Sequence, residues 1–274
     1  VYNATHLFGF FSVFNADAIN RVELVKGGFP ARYGGRLSSV IDISMKEGNA
    51  KKIQGEGAFG VVASRLTLEG PIFKEKTSFI ISGRRTYIDL LARPIIKKAS
   101  KGEEVASYYF YDLNAKINHR INEKNRVYLS AYTGDDKAYA RSHYKYANAI
   151  RISESRDDLG LQWGNITTAL RWNSILTHKL FSNFTATYSR YRFLVFADSK
   201  ETITEGGETE TRFFHTEYNS GIRDYALKID LDYIPNPDHY IKFGAQAIQH
   251  LFTPGVLSYG SSEQQDTTLG AKRT

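Results

Sequence analysis

Seven histidines and two pairs of adjacent aspartates are the side chains of this chain best suited to chemistry. The histidines show no H-x-x-x-H or similar ligand spacing; they are His6, His119, His143, His178, His215, His239 and His250. Ser38 and Ser39 lack the strand–turn–helix context of a serine nucleophile. The pairs Asp135–Asp136 and Asp157–Asp158 are interpreted as solvated loop acids, with cation chelation as the alternative. Residue spacing therefore predicts no enzyme, no cofactor and no metal site.

Alternation of apolar and polar residues predicts the antiparallel strands that would position these side chains. In residues 108–121 the odd positions are mostly apolar, whereas even positions carry Asp112, Asn114 and Lys116. This period of two is that of a strand with two unlike faces. About eight such strands are expected in residues 50–274. Short turns alternate with long polar loops, which are expected at residues 93–104, 135–158 and 199–210.

Strand length and loop asymmetry favour a membrane-spanning barrel over a soluble β-sandwich. About 9–11 residues cross a bilayer as a tilted strand, and outer-membrane barrels have short periplasmic turns and long extracellular loops. The polar face would line the lumen; it carries Asp112, Lys116, Arg171, Lys228 and Asp230. The predicted fold class is all-β, a partial transmembrane antiparallel β-barrel in an outer membrane.

The composition of the chain is compatible with a transmembrane β-barrel. The 274 residues include 36 basic and 29 acidic side chains, a net charge of +7, and no cysteine. The basic residues are interspersed with acidic ones, so nucleic acid is not an expected partner. A soluble β-rich binding domain remains an alternative.

A glycine-rich stretch precedes the predicted barrel strands. Residues 21–25 and 39–44 read as two short strands, joined by a turn with the pairs Gly27–Gly28 and Gly34–Gly35. Paired glycines permit left-handed backbone and close approach of neighbouring chains. No G-x-G-x-x-G opens a helix here, which argues against dinucleotide binding.

This stretch resembles the end of the plug domain of TonB-dependent outer-membrane receptors. The resemblance lies in I-N-R-V-E-L-V-K-G-G at residues 19–28 and in Y-G-G-R-L-S-S-V-I-D-I at residues 33–43. Ser39 and Asp42 depart from the family pattern, which often has Gly and Asn there. The plug-motif residues implied by the resemblance are Arg21, Glu23, Lys26, Gly27, Gly28, Tyr33, Gly34 and Gly35.

The resemblance also implies the domain organisation. An eight-stranded barrel has room only for its own side chains, so it would not hold a plug. We therefore expect residues 1–49 to be the C-terminal part of the plug domain. Residues 50–274 would be the N-terminal strands of a larger barrel.

Two groups of binding residues follow from the resemblance. An apical plug loop would face the extracellular vestibule and touch substrate through Asn3, His6, Phe8, Phe10 and Phe11. The alternative is that these phenylalanines pack inside the plug or against the barrel wall. Tyr139, Tyr144 and Tyr146 are candidates in an extracellular loop.

The implied function is energy-coupled import of a scarce nutrient, either a siderophore, a cofactor, a glycan or a peptide. The implied partners are the TonB complex, outer-membrane lipids and a small or oligomeric substrate. Whether a surface lipoprotein is also a partner is left open by the resemblance. The alternative is a non-transporting outer-membrane barrel with a structural, adhesive or assembly role.

Overall fold

The structure, a computed structural model, describes residues 2–3, 5–6, 9, 11–28, 30–33, 38–262 and 264–269. Two small hairpins come first: β1 (Thr5–His6) with β2 (Phe11–Ser12), and β3 (Ile19–Lys26) with β4 (Ser39–Met45). The predicted glycine-rich hairpin is thus confirmed, since Val22 pairs with Ile43 and Leu24 with Ile41. Gly27 and Gly28 have φ of 69° and 54° in its turn, a left-handed conformation that favours glycine.

The remaining strands form one antiparallel sheet in which each strand pairs with its neighbours in sequence. Its ten strands are β5 (Gln54–Phe59), β6 (Ala63–Phe73), β7 (Thr77–Thr86), β8 (Glu104–Asn122), β9 (Asn125–Ala147), β10 (Arg151–Thr177), β11 (Leu180–Glu205), β12 (Glu208–Asn236), β13 (His239–Ser261) and β14 (Gln264–Leu269). The all-β class is confirmed. Within the described part of the chain β5 and β14 are the two edges of the sheet and do not pair with each other.

The expected strand count was too low. The first predicted strand, residues 54–68, is in fact a hairpin of β5 and β6. Its turn is closed by a hydrogen bond from the Gly60 N–H to the Ala63 carbonyl oxygen at 3.0 Å. The polar tail beyond Pro254 also continues as strand, first in β13 and then in β14.

The loop expected at residues 93–104 is mostly a helix, α1 (Ile88–Ala99). Asp89 lies in its first turn, and Lys97 and Lys98 lie in its last turn, which suits the helix dipole. Pro94 lies inside the helix. Proline removes a backbone donor and disfavours a helix interior. For this reason the sequence pattern did not predict a helix here. No helix in the described residues combines the length and the apolar character needed to cross a membrane.

The other two predicted loops are wrong, because the strands continue through them. Strands β9, β10, β11 and β12 have 23, 27, 26 and 29 residues. At residues 148–150 the Asn148 side chain accepts hydrogen bonds from the Ile150 and Arg151 N–H groups, at 2.9 and 2.7 Å. Gly206 and Gly207, with φ of 60° and 88°, form the other tight turn. Tight turns of this kind let the pairing persist through polar sequence.

The two faces of the sheet have opposite polarity, as the alternation predicted. On β12 the outward face presents Tyr225, Leu227, Ile229, Leu231 and Tyr233, of which Leu227 is 66% exposed. Exposed apolar side chains continue this outward face on other strands; they include Leu66, Leu68, Ile81, Leu113, Ile117, Leu129, Leu170, Trp172 and Phe243. The opposite, inner face carries polar side chains that are buried, among them Thr67, Ser82, Asp112, Asn114, Asn165 and Ser189.

Candidate functional site

Described residues of the N-terminal segment, residues 2–47, contact the inner face of the sheet through polar groups. Near the short turns, the Lys116 Nζ donates to the Met45 carbonyl oxygen at 3.1 Å and Arg126 pairs with Glu47 at 3.3 Å. Farther up, the Asn15 side chain donates to the Ser82 hydroxyl at 2.7 Å. These contacts explain why polar residues of the inner face are buried: the N-terminal segment covers them.

His6 forms the centre of this interface. Its side chain is 1% exposed, and its Nδ1 lies 2.5 Å from Asp136 Oδ2. Its Nε2 lies 3.5 Å from Asp112 Oδ2. The imidazole stacks on the Phe110 ring with 4.2 Å between centroids and 3° between planes. One histidine of the N-terminal segment therefore bridges an acid on β8 and an acid on β9.

Arg84 completes the cluster from β7. Its Nε and Nη2 donate to Asp112 Oδ2 at 2.8 and 2.6 Å, and Nη2 also donates to the Ser12 carbonyl oxygen at 2.6 Å. The guanidinium carbon lies 5.1 Å from the centre of the Phe110 ring. Arg84 thus joins the wall of the sheet to the main chain of the N-terminal segment.

The charges of the cluster balance when His6 carries a proton. Asp112 and Asp136 contribute two negative charges, and Arg84 supplies one positive charge. Burial by itself would lower the pKa of His6, but the attraction of the Asp112 and Asp136 carboxylates, which includes the hydrogen bond to Asp136, outweighs it, and the pKa is raised. Protonated His6 therefore supplies the second positive charge and neutralises the cluster.

A second set of contacts holds residues 2 and 3. The Asn165 side chain donates to the Asn3 carbonyl oxygen at 3.0 Å and accepts from the Tyr2 N–H at 3.3 Å. The Tyr2 hydroxyl donates to Asp224 on β12. Asn165, which matches a glycosylation sequon by sequence, is 4% exposed and serves this interface.

The described members of the predicted apical loop pack against the wall. His6 is buried against two aspartates, and the Phe11 ring lies 5.4 Å from the Phe110 ring. The Asn3 side chain accepts hydrogen bonds from the backbone N–H and the hydroxyl of Thr5. His6 is 1% exposed because its charged partners enclose it, and contact between His6 and substrate stays a prediction. Phe8 and Phe10 lie outside the described residues.

The plug-motif residues that the structure describes lie in the β3–β4 hairpin. Arg21 and Glu23 are exposed and pair with each other at 2.7 Å, while Lys26 ends β3. The Tyr33 hydroxyl donates to Asp42 at 2.7 Å, which raises the pKa of Tyr33. This bond joins the beginning and the end of the second part of the motif, residues 33–43. Gly34 and Gly35 lie outside the described residues.

The three loop tyrosines lie on strand β9 rather than in a loop. The Tyr144 hydroxyl donates to Glu104 on β8, and Arg141 lies 5.0 Å from the Tyr139 ring centre. Tyr146 is 62% exposed near the end of the strand. Their placement is corrected because pairing with β8 and β10 runs through these positions.

Sequence reasoning missed the role of Asp136 and of Arg84. Asp136 was interpreted as a solvated loop acid, yet it is 1% exposed on β9. The signal that could have revealed this burial is the alternation of side chains along the strand. Asp136 lies opposite Phe110, so both side chains face inward. Among the described residues, no group of three or more His, Cys, Asp or Glu side chains is placed to hold a metal ion.

Comparisons with known proteins leave the family of this chain open. No model of a known protein family matches it, and no curated protein matches it.

Proposed function

We propose that this chain forms part of the wall and part of the plug of an outer-membrane receptor that imports a scarce nutrient with energy supplied through TonB. The observation that carries the proposal is the inverted polarity of the sheet. Its exposed outward face is apolar, and its inner face is polar and covered by the N-terminal segment. A soluble protein rarely exposes so broad an apolar surface without a partner, and lipid hydrocarbon is a partner that suits it.

The geometry of β12 supports a membrane as that partner. Tyr225 and Tyr233 bound an outward apolar row, and they are eight residues apart on the strand. At about 3.3 Å per residue and a tilt of about 40°, this row is roughly 20 Å tall. That height is close to the apolar band of ~25 Å in membrane barrels, with aromatic residues at both edges.

We also propose that the sheet is part of a closed barrel. Unpaired strand edges are not tolerated in hydrocarbon, so β5 and β14 would each pair with further strands. The N-terminal segment would then lie inside the barrel as part of the plug. In this mechanism substrate binds the extracellular side and the top of the plug, and force transmitted by TonB moves the plug to open a path. A surface lipoprotein would be an additional partner.

The second candidate is a non-transporting outer-membrane barrel. The buried cluster around His6 favours it, because a plug segment anchored by charged contacts resists displacement. Nutrient uptake by cells that carry the full-length protein separates the two functions. Import predicts uptake that stops when an uncoupler collapses the proton gradient, and it predicts loss of uptake on deletion of the gene. Cells whose uptake is unaffected by both treatments would favour the structural role.

A further inference from the structure

The outward face of β11 and β12 changes in character over a few residues. Tyr188 and Tyr225 are directly opposite each other, with 5.3 Å between ring centroids. Below them the row continues with apolar residues such as Leu227. Directly above them Arg190 lies opposite Arg223. The order is apolar, then aromatic, then basic, along one face of two neighbouring strands.

The paired arginines have no partner of opposite charge in the part of the chain that the structure describes. Arg223 is exposed and Arg190 is half-buried, and neither forms an ion pair there. Asp135, an acid of that face, is 3.7 Å from Arg192 and accepts a hydrogen bond from Gln162 at 2.6 Å. Like charges directly opposite each other on neighbouring strands are destabilising. An anion between the two guanidinium groups would remove that repulsion.

We propose that Arg190 and Arg223 bind the phosphate group of a phosphorylated lipid headgroup in the adjoining membrane leaflet. This inference rests on the membrane placement proposed above. Guanidinium groups bind phosphate oxygens in a bidentate manner. Tyrosine rings occupy the headgroup boundary of membranes, so the tyrosine pair fixes the depth at which the arginines meet phosphate. The position of the arginines just beyond the tyrosines favours a lipid over a soluble anion.

The test uses the full-length protein in phosphatidylcholine nanodiscs that contain a small fraction of lipid A, in either phosphorylated or dephosphorylated form. Native mass spectrometry measures the lipid retained on the protein. Each Lys or Arg near an anionic membrane surface contributes about a fivefold gain in binding. We therefore expect about a fivefold loss of retained phosphorylated lipid in Arg190→Gln or Arg223→Gln, and roughly twenty-five-fold in the double variant.

Arg151→Gln is the matched control, because Arg151 begins β10 at the far end of the long hairpins and is exposed. It is expected to retain phosphorylated lipid as the wild type does. Equal retention of the two lipid A forms by the wild type would overturn the proposal. The proposal would also be overturned if the double variant retained as much phosphorylated lipid A as the wild type does. Displacement of the lipid by inorganic phosphate alone would also overturn it, in favour of a soluble anion. Failure of the wild-type protein to enter nanodiscs would instead refute the proposed membrane function.

Discussion

The outward face of β12 offers a sharp test of its surroundings, through Leu227→Arg. Leu227 is 66% exposed, so in water the substitution would change the free energy of unfolding by no more than about 0.5 kcal/mol. In a bilayer, arginine costs about 2–4 kcal/mol at the midplane and about 0–1 kcal/mol at the interface. In the proposed membrane placement Tyr225 marks the interface and Ile229 the centre of the apolar row, and Leu227 lies midway between them on the strand. We therefore expect a loss of about 2 kcal/mol.

Phe213→Arg is the control on the same strand and the same face. Phe213 is 49% exposed and lies beyond the apolar row, near the tight turn of the long hairpin. Its substitution is expected to change the free energy of unfolding by less than about 0.5 kcal/mol. Guanidinium titration of the full-length protein in phosphatidylcholine bilayers measures both variants. A loss for Leu227→Arg no larger than for Phe213→Arg would refute the lipid-facing assignment.

Three further predictions concern the N-terminal interface and one turn. The folded pKa of His6 is raised above the ordinary value of 6.5. The stabilisation that protonated His6 gives to the folded state is therefore fully present below about pH 6.5 and is lost as pH rises through the folded pKa. Hydrogen exchange of residues 11–18 should therefore quicken with rising pH beyond its intrinsic dependence, and His6→Gln should abolish that excess; an unchanged excess would contradict the role of His6. Arg84→Met removes the closer of the two cations beside the fully buried Asp112 carboxylate and leaves only His6, whose Nε2 is 3.5 Å away. This variant should lose about 3 kcal/mol in guanidinium titration, whereas Arg156→Met removes an exposed pair and should leave the free energy of unfolding nearly unchanged. Equal losses would show that the cluster is not buried in solution. Gly207→Ala, at φ of 88°, should cost about 1 kcal/mol in the same titration, and a stabilised variant would count against the tight turn.

Local pattern predicted the strands whose two faces differ most. Residues 108–121 alternate cleanly, and β8 spans them with Leu113 exposed and Asp112 buried. The glycine-rich hairpin was likewise predictable, because apolar strands flank a turn with two residues of left-handed φ. In both cases the information lies within a few neighbouring residues.

The rest depends on contacts distant in sequence. Polar residues 135–158 look like a loop because alternation there is weak, yet pairing with neighbouring strands keeps them extended. The His6–Asp136 contact joins residues 130 positions apart, and no local pattern specifies it. The burial of Asp136 becomes evident only when the N-terminal segment is placed on the inner face.

The claim that the outward face of β12 meets lipid is tested most directly by measuring the environment of residues 225–233 in the native membrane. The chain has no cysteine, so single cysteines can be introduced along β12 in the full-length protein and spin-labelled. We predict that labels at 227, 229 and 231 are relaxed by lipid-soluble oxygen, while labels at 226, 228 and 230 are shielded from it. Labels at 227, 229 and 231 that respond instead to a water-soluble nickel chelate would show that this face of β12 meets water and not lipid.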